Sequence, residues 1–230
     1  EERVQFLLGA GLGEEIPLMR AEGHYSPKQD VGALVLDIQD VGFTPNGLQP
    51  SSLSQYFSAI PKFDAILSNH SVFNWNKGQV LSESEIGIRE VSLNYETVFY
   101  EIPKAKIKLN ASYNFKTAKQ RGSLVIHDML ATLSKGSNKY AMNNIKAELN
   151  VENIGDEIKL QNLSASLSHV SEEPNFRPLF LQGQGETRQQ DFVFEGDVVD
   201  MDKRLKLPFN GRFNRDDKSA FIRGQLQHEK

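Results

Sequence analysis

Apolar and polar residues alternate with a period of two along most of this chain, and that period argues for strands throughout. Leu34-Val35-Leu36-Asp37-Ile38 opens the pattern, and Ser84 to Arg89 and Val91 to Tyr95 continue it. Lys106 to Tyr113 alternates without a break, and Ala147 to Val151, Ile158 to Leu160, Leu163 to Leu167 and Leu205 to Leu207 follow. A strand places successive side chains on opposite faces, so each run has an apolar side and a polar side. One packed face and one wet face is the signature of antiparallel pairing. Asn76-Lys77-Gly78, Ser134 to Asn138 and Gly155-Asp156 are turn signals at roughly hairpin spacing. The expectation is a mainly β chain, one continuous region of hairpins over residues 1–230.

Helix is scarce. The best candidate follows Pro50, where Ser51 or Ser52 can cap Leu53 to Ile60 before Pro61 ends the run. A short helix near 51–60 is therefore expected, with Leu53, Phe57 and Ile60 on one side. A second short or irregular piece is expected from Ser171 to Pro178.

A weak internal repeat accompanies the alternation. Three segments combine an apolar strand, an aromatic near its end, a polar turn and a Gly-x-Leu start to the next strand. They are Leu18 to Tyr25 with Gly32-Ala33-Leu34, Ile107 to Tyr113 with Gly122-Ser123-Leu124, and Leu205 to Phe213 with Gly224-Gln225-Leu226. Repetition of one supersecondary unit suggests a sheet extended by similar modules.

Composition narrows the chemistry. The 230 residues carry 26 basic and 30 acidic side chains, a net charge of −4, which argues against nucleic acid as a partner. There is no cysteine, so disulfides, thiolate metal sites and cysteine nucleophiles are excluded. No run approaches the roughly 18 apolar residues that a membrane-spanning helix needs. The chain begins at Glu1-Glu2 with no leader pattern, and reads as a fragment of something longer. The histidines His24, His70, His127, His169 and His228 have no helical zinc spacing. Gly9-Ala10-Gly11-Leu12-Gly13 and Gly183-Gln184-Gly185 lack the third glycine or the lysine of a phosphate loop. Asp197 to Asp202 lacks the glycine and distal glutamate of a calcium loop. Lys104, Lys106 and Lys108 form a solvated stripe. No enzyme, cofactor or metal signature stands out, and the chain reads as non-enzymatic.

The period itself does not say what covers the apolar face. A second sheet would make it dry core. An open groove would leave it for a ligand, with identical alternation. Phe99, Tyr113, Phe115, Phe192, Phe194, Phe209 and Phe213 are large for a thin two-layer core, and lean toward the groove.

Gly47-Leu48-Gln49-Pro50-Ser51-Ser52-Leu53-Ser54 resembles a signature of the YdbH-like family of bacterial envelope proteins. Upstream, Gly32 to Leu36 leads into Val41-Gly42-Phe43-Thr44-Pro45-Asn46-Gly47, similar to the family's strand and turn. Downstream, Val72 to Gly78 resembles its Trp-containing strand, and Val91 to Tyr95 with Val98 to Tyr100 its paired strands. Phe194-Glu195-Gly196 through Leu205 to Phe209 is similar as well. The resemblance covers most of the chain, with Gly47, Leu48, Gln49, Pro50, Ser51, Leu53 and Ser54 as its distinctive part.

The family carries a domain labelled "dicarboxylate transport" and is similar to AsmA-like proteins such as TamB and YhdP. The resemblance implies a long twisted sheet folded into a groove along which phospholipid moves between inner and outer membranes. It further implies a periplasmic location in a diderm bacterium and an inner-membrane anchor preceding this fragment. A small outer-membrane lipoprotein is the implied partner. On that reading the lipid-facing candidates are Ile86, Ile88, Leu93, Ile107, Leu109, Leu124, Ile126, Leu149, Leu160 and Leu167. The alternatives are a β-sandwich or solenoid interaction module, and a dicarboxylate-binding domain. The last needs converging cations, and Arg20, Arg89, Arg121, Arg177 and Arg212 are scattered in sequence.

Overall fold

The computed structural model describes residues 4–11, 17–53, 61–95, 97–154, 157–169, 177–214, 216–217 and 219–228. Fourteen strands among them form a single antiparallel sheet whose spatial order follows the chain. The first five are β1 (Val4–Gly11), β2 (Pro17–Ser26), β3 (Val31–Phe43), β4 (Asp64–Asn76) and β5 (Gln79–Tyr95). Then come β6 (Val98–Asn114), β7 (Lys119–Lys135), β8 (Asn138–Ile154) and β9 (Glu157–His169). The last are β10 (Leu179–Arg188), β11 (Asp191–Asp200), β12 (Leu205–Asn214), β13 (Ala220–Gly224) and β14 (Gln227–His228). β13 and β14 both pair with β12, on Phe209–Phe213 and on Leu205–Lys206.

Local chemistry explains the meander. Between Asn76 and Gln79, which pair, Lys77 and Gly78 have φ of 48° and 83°. Two consecutive positive φ values make the two-residue turn whose twist matches a hairpin. Strands β5 to β8 have 17 residues each. At roughly 3.3 Å per residue each runs about 55 Å. Thirteen strands spaced about 4.8 Å apart extend about 60 Å in the other direction.

The helix expected near 51–60 is described only for its first turn, α1 (Pro50–Leu53). Residues 54–60, and with them Ser54, lie outside the described residues, as do 171–176 of the irregular piece and the Gly155-Asp156 turn. The three repeat segments each form a hairpin, β2–β3, β6–β7 and β12–β13. Their glycines sit at different registers: Gly32 faces Tyr25, Gly122 faces Ala111 and Gly224 faces Phe209.

No second layer covers either face among the described residues: their strands make one sheet, no large side chain is fully buried, and the apolar residues are mostly half-buried or exposed. That is the arrangement of a groove, not of a sandwich. The only buried apolar residues described are Ala21, Phe43, Ala65 and Ala105, at 5% to 7% exposure. The chain exposes 16071 Å². A compact protein of 25.9 kDa exposes about 10,500 Å², so this one presents about half as much again. Twisted open sheets beyond about ten strands curl. Along β10 the residues Leu179, Leu181, Gly183 and Gly185 are half-buried whereas Phe180, Gln182 and Gln184 are exposed. The shielded side is the one on which neighbouring rings lie, Phe209 beside Gly183 and Phe192 over Gly185.

Candidate functional site: a continuous apolar face

Directly opposed residues in antiparallel strands share a face, so the register traces rows across the sheet. One row runs Met19–Ile38–Asn69–Ile86–Ile107–Ile126–Ala147–Ala165–Leu181–Val198–Leu207. Beside it, Ala21–Leu36–Ser71–Ser84 leads into Leu109–Leu124–Leu149–Leu163. A third passes from Leu34 and Phe73 through Ser82, Ala111 and Gly122 to Val151 and Leu160. These rows run along the direction of strand stacking, and the longest forms a largely apolar track about 50 Å long.

The lipid-facing candidates all lie on this face. Ile86, Ile107, Ile126, Leu109, Leu124, Leu149 and Leu160 stand in the rows just traced. Ile88 lies opposite Leu67 and Ala105, two residues along from Ile86. Leu167 follows Ala165 on the same side of β9. Leu93 needs a bulge to join them. Ile66 lies opposite Arg89 and Asp64 opposite Ser92, so β5 has an extra residue between these pairs. Glu90, with φ of 56°, is at that point. Arg89 and Ser92 thus share the polar side, and Val91 and Leu93 return to the side of Ile88.

Two aromatic expectations are corrected, the first of them by the same parity change. Phe99 lies opposite Asn94, on the polar side, because β6 follows β5 through the bulge. Phe115 stands in the turn after β6, 62% exposed, its ring edge on Tyr113 at 4.7 Å. Phe192, Phe194, Phe209 and Phe213 do face the apolar side.

There the rings lie over glycines of neighbouring strands. A Cβ on Gly196 would stand 2.6 Å from Phe209 Cζ, and one on Gly185 2.9 Å from Phe192 Cζ. Gly211 is covered by Phe194 in the same way. At the other end Trp75 covers Gly32, where a Cβ would stand 2.5 Å from the indole, and Tyr25 packs at 6.0 Å from Trp75. Gly183-Gln184-Gly185 is thus strand backbone beneath aromatic rings. Sequence reasoning missed this pairing, although the alternate Gly-x-Gly and Phe-x-Phe of residues 183–185 and 192–194 carried its signal.

It also missed a polar island. Asn69, Ser71 and Ser84 interrupt the apolar rows and satisfy one another. The Ser71 hydroxyl donates to Ser84 Oγ at 2.7 Å and the Asn69 amide donates to Ser71 Oγ at 2.8 Å.

The opposite face is charged. Arg20, Asp37, His70, Glu85 and Lys108 follow one another across β2 to β6. Asp37 and His70 approach to 2.6 Å. Glu152 accepts from Lys119 and from Arg121 at 3.0 Å, and these cations hold its carboxyl below the usual range. The arginines do not converge. Arg20 pairs with Glu22 at 3.0 Å, Arg89 with Asp40 at 2.6 Å and Arg212 with Asp191 at 3.8 Å. Arg177 pairs with Asp202, and Arg121 with Glu152. Each already faces a carboxylate. Among the described residues no three of His, Asp and Glu gather as a metal site.

The Gly47–Ser54 motif has a mechanical part to play. Gln49 is buried, and its amide donates to Thr44 O at 2.7 Å and to Phe63 O at 2.9 Å. Its carbonyl accepts from Phe63 N at 3.2 Å. Gly47 N donates to Thr44 O at 2.9 Å, closing the turn, and the rings of Phe43 and Phe63 meet at 5.8 Å. One side chain therefore ties together both ends of the excursion between β3 and β4.

No protein-family model, curated protein or solved structure matches this chain.

Proposed function

We propose that this chain is a periplasmic length of a YdbH-like intermembrane bridge, which holds phospholipid acyl chains against its apolar sheet face and passes them along it. The observation that supports the reading is an apolar track crossing every long strand, with no protein layer over it among the described residues. Water against such a face is unfavourable by about 25 cal/mol per Å². An acyl chain laid along the rows removes that cost and gains about 0.8 kcal/mol for each buried methylene. No polar recognition is required, so the same face can serve a lipid anywhere along its length. A small outer-membrane lipoprotein as partner and an inner-membrane anchor belong to the same proposal.

Native mass spectrometry of the purified chain, followed by solvent extraction, tests it. The expected result is co-purified phospholipid. Ile107→Asp with Leu109→Asp should reduce that lipid at least about tenfold while circular dichroism stays unchanged, because carboxylates on an open face remain hydrated. A wild-type chain free of lipid, or a double variant that retains it, sinks the reading.

A further inference from the structure

The polar face changes character along the sheet. Over β1 to β6 a hollow of about 760 Å³ is ionic, lined on this side by Arg20, Asp37, His70, Glu85 and Lys106, without a phenylalanine, tyrosine or tryptophan. Beyond β6 amides take over, beginning with the row Asn110–Ser123–Asn150–Asn162. Over β9 to β13 two further rows cross the same face. One is Gln184–Glu195–Asn210–Arg223, and the other is Lys159–Glu186–Val193–Arg212–Phe221.

Between these two rows lies a hollow of about 860 Å³. Its floor is the main chain of Leu160, Gly185, Phe194 and Gly211, which are directly opposed and belong by parity to the apolar side. Phe221 closes one end. It stands opposite Arg212, on the wet side, and is 57% exposed, whereas Phe192, Phe194, Phe209 and Phe213 face the apolar side. A ring in water is unfavourable, and its flat face carries the negative part of the π quadrupole.

The charged groups around the hollow are already engaged. Arg188 Nε donates to Glu186 Oε1 at 2.9 Å, Arg212 pairs with Asp191 at 3.8 Å, and Gln184 Nε2 donates to Glu195 Oε1 at 2.9 Å. An ionic ligand would have to displace these partners. A wholly apolar one would meet Val193 and Phe221 among polar groups that it leaves dry. The complementary molecule is neutral, with hydroxyls along its edges and C–H groups on its flat sides. Hydroxyls both donate and accept, which suits amides and paired carboxylates alike, and C–H groups lie favourably on a π face. A pyranose ring has this chemistry.

We infer that the hollow across β9 to β13 binds a neutral oligosaccharide, one sugar ring stacked on Phe221 and its hydroxyls bonded to Gln184 and Asn210. The site lies on the face opposite the lipid track and does not depend on it.

Cellotetraose, maltotetraose and tetra-N-acetylchitotetraose, titrated calorimetrically into the full chain, test the class. At least one should bind with a Kd below about 1 mM. Phe221→Ala should weaken that binding about tenfold, the scale of one aromatic contact. Phe221→Trp should keep it. Asn210→Ala should weaken it about three- to tenfold, the range for one hydrogen bond. Phe180→Ala is the control, since Phe180 is 40% exposed on the same face, opposite Val199 and outside the hollow. It should leave the affinity unchanged. Thermal unfolding checks that each variant is folded, and if Phe221→Ala loosens the edge strand, Asn210→Ala decides. No binding of any of the three sugars at about 10 mM overturns the inference. So does a loss of affinity in Phe180→Ala equal to that in Phe221→Ala, or full affinity in a folded Asn210→Ala. Tighter binding of tetragalacturonate that salt abolishes would make the face an anion site and overturn it too. Each of these results leaves the lipid reading standing.

Discussion

The central strands β5 to β9 and the C-terminal strands β10 to β13 build the same apolar face by different means. In the centre the face is aliphatic, with Ile86–Ile107–Ile126 and Leu109–Leu124–Leu149–Leu163 as unbroken cross-strand rows. Branched side chains standing side by side shield the ladder themselves. In the C-terminal block the face alternates glycine with phenylalanine. Strand glycine is costly by roughly 0.5–1 kcal/mol, because the unfolded chain loses more freedom and nothing packs. Here each ring reaches across to cover a glycine backbone, Phe209 over Gly196 and Phe192 over Gly185. The difference teaches that an apolar surface can be tiled either by many small contributions or by a few large ones. The second way concentrates the stability in a handful of rings.

Removing such a ring should therefore have the largest effect. Phe209→Ala uncovers Gly196 and should destabilise the chain by about 2 kcal/mol. Leu124→Ala in the matching central row should cost about 1 kcal/mol on a half-exposed face. Equal losses in urea denaturation would erase the contrast. The converse change is next in size. Gly196→Ala drives a methyl into the Gln182 carbonyl oxygen and the Phe209 ring and should cost about 1–3 kcal/mol. Gly122→Ala makes only an ordinary contact, with the Asn110 carbonyl oxygen at 3.8 Å, and should stabilise by about 0.5 kcal/mol. Opposite signs in thermal melts sharpen the comparison, and like signs break it.

The smallest effect concerns the back of the central block. Lys119 and Arg121 hold the Glu152 carboxyl below its ordinary value of 4.5. A folded-state value below the unfolded one means stability that is present above about pH 4.5 and lost as pH falls through the folded value. Glu152→Gln should flatten that part of the pH–stability curve, with little change at neutral pH, as expected for a solvated ion-pair cluster. A large loss at neutral pH would move weight from the apolar face to the polar one.

Much of this was legible along the chain. Lys106 to Tyr113 announces both its faces by alternation, and Asn76-Lys77-Gly78 announces its turn. The bulges were not legible. Glu90 carries no glycine to mark its positive φ, yet without it Leu93 would point to the polar side. Phe99 was misplaced for that reason: parity counted along the sequence does not survive an inserted residue. Gln49 stood inside a recognisable motif, but its hydrogen bonds to Thr44 and Phe63 span an excursion whose closure no local pattern states.

By itself the sequence determined that strands form, that they are antiparallel and, within each unbroken run, which residues share a side, because a period of two is a property of each strand alone. Whether that side becomes dry core or open groove was decided only by the tertiary structure. Alternation is identical in both cases. The outcome depends on whether the sheet folds back on itself or continues, and that is set by long-range register across strands. Here every strand from β2 to β12 pairs with its immediate chain neighbours and the sheet never closes over its own face. The apolar side therefore stays open because nothing in the described chain returns to cover it.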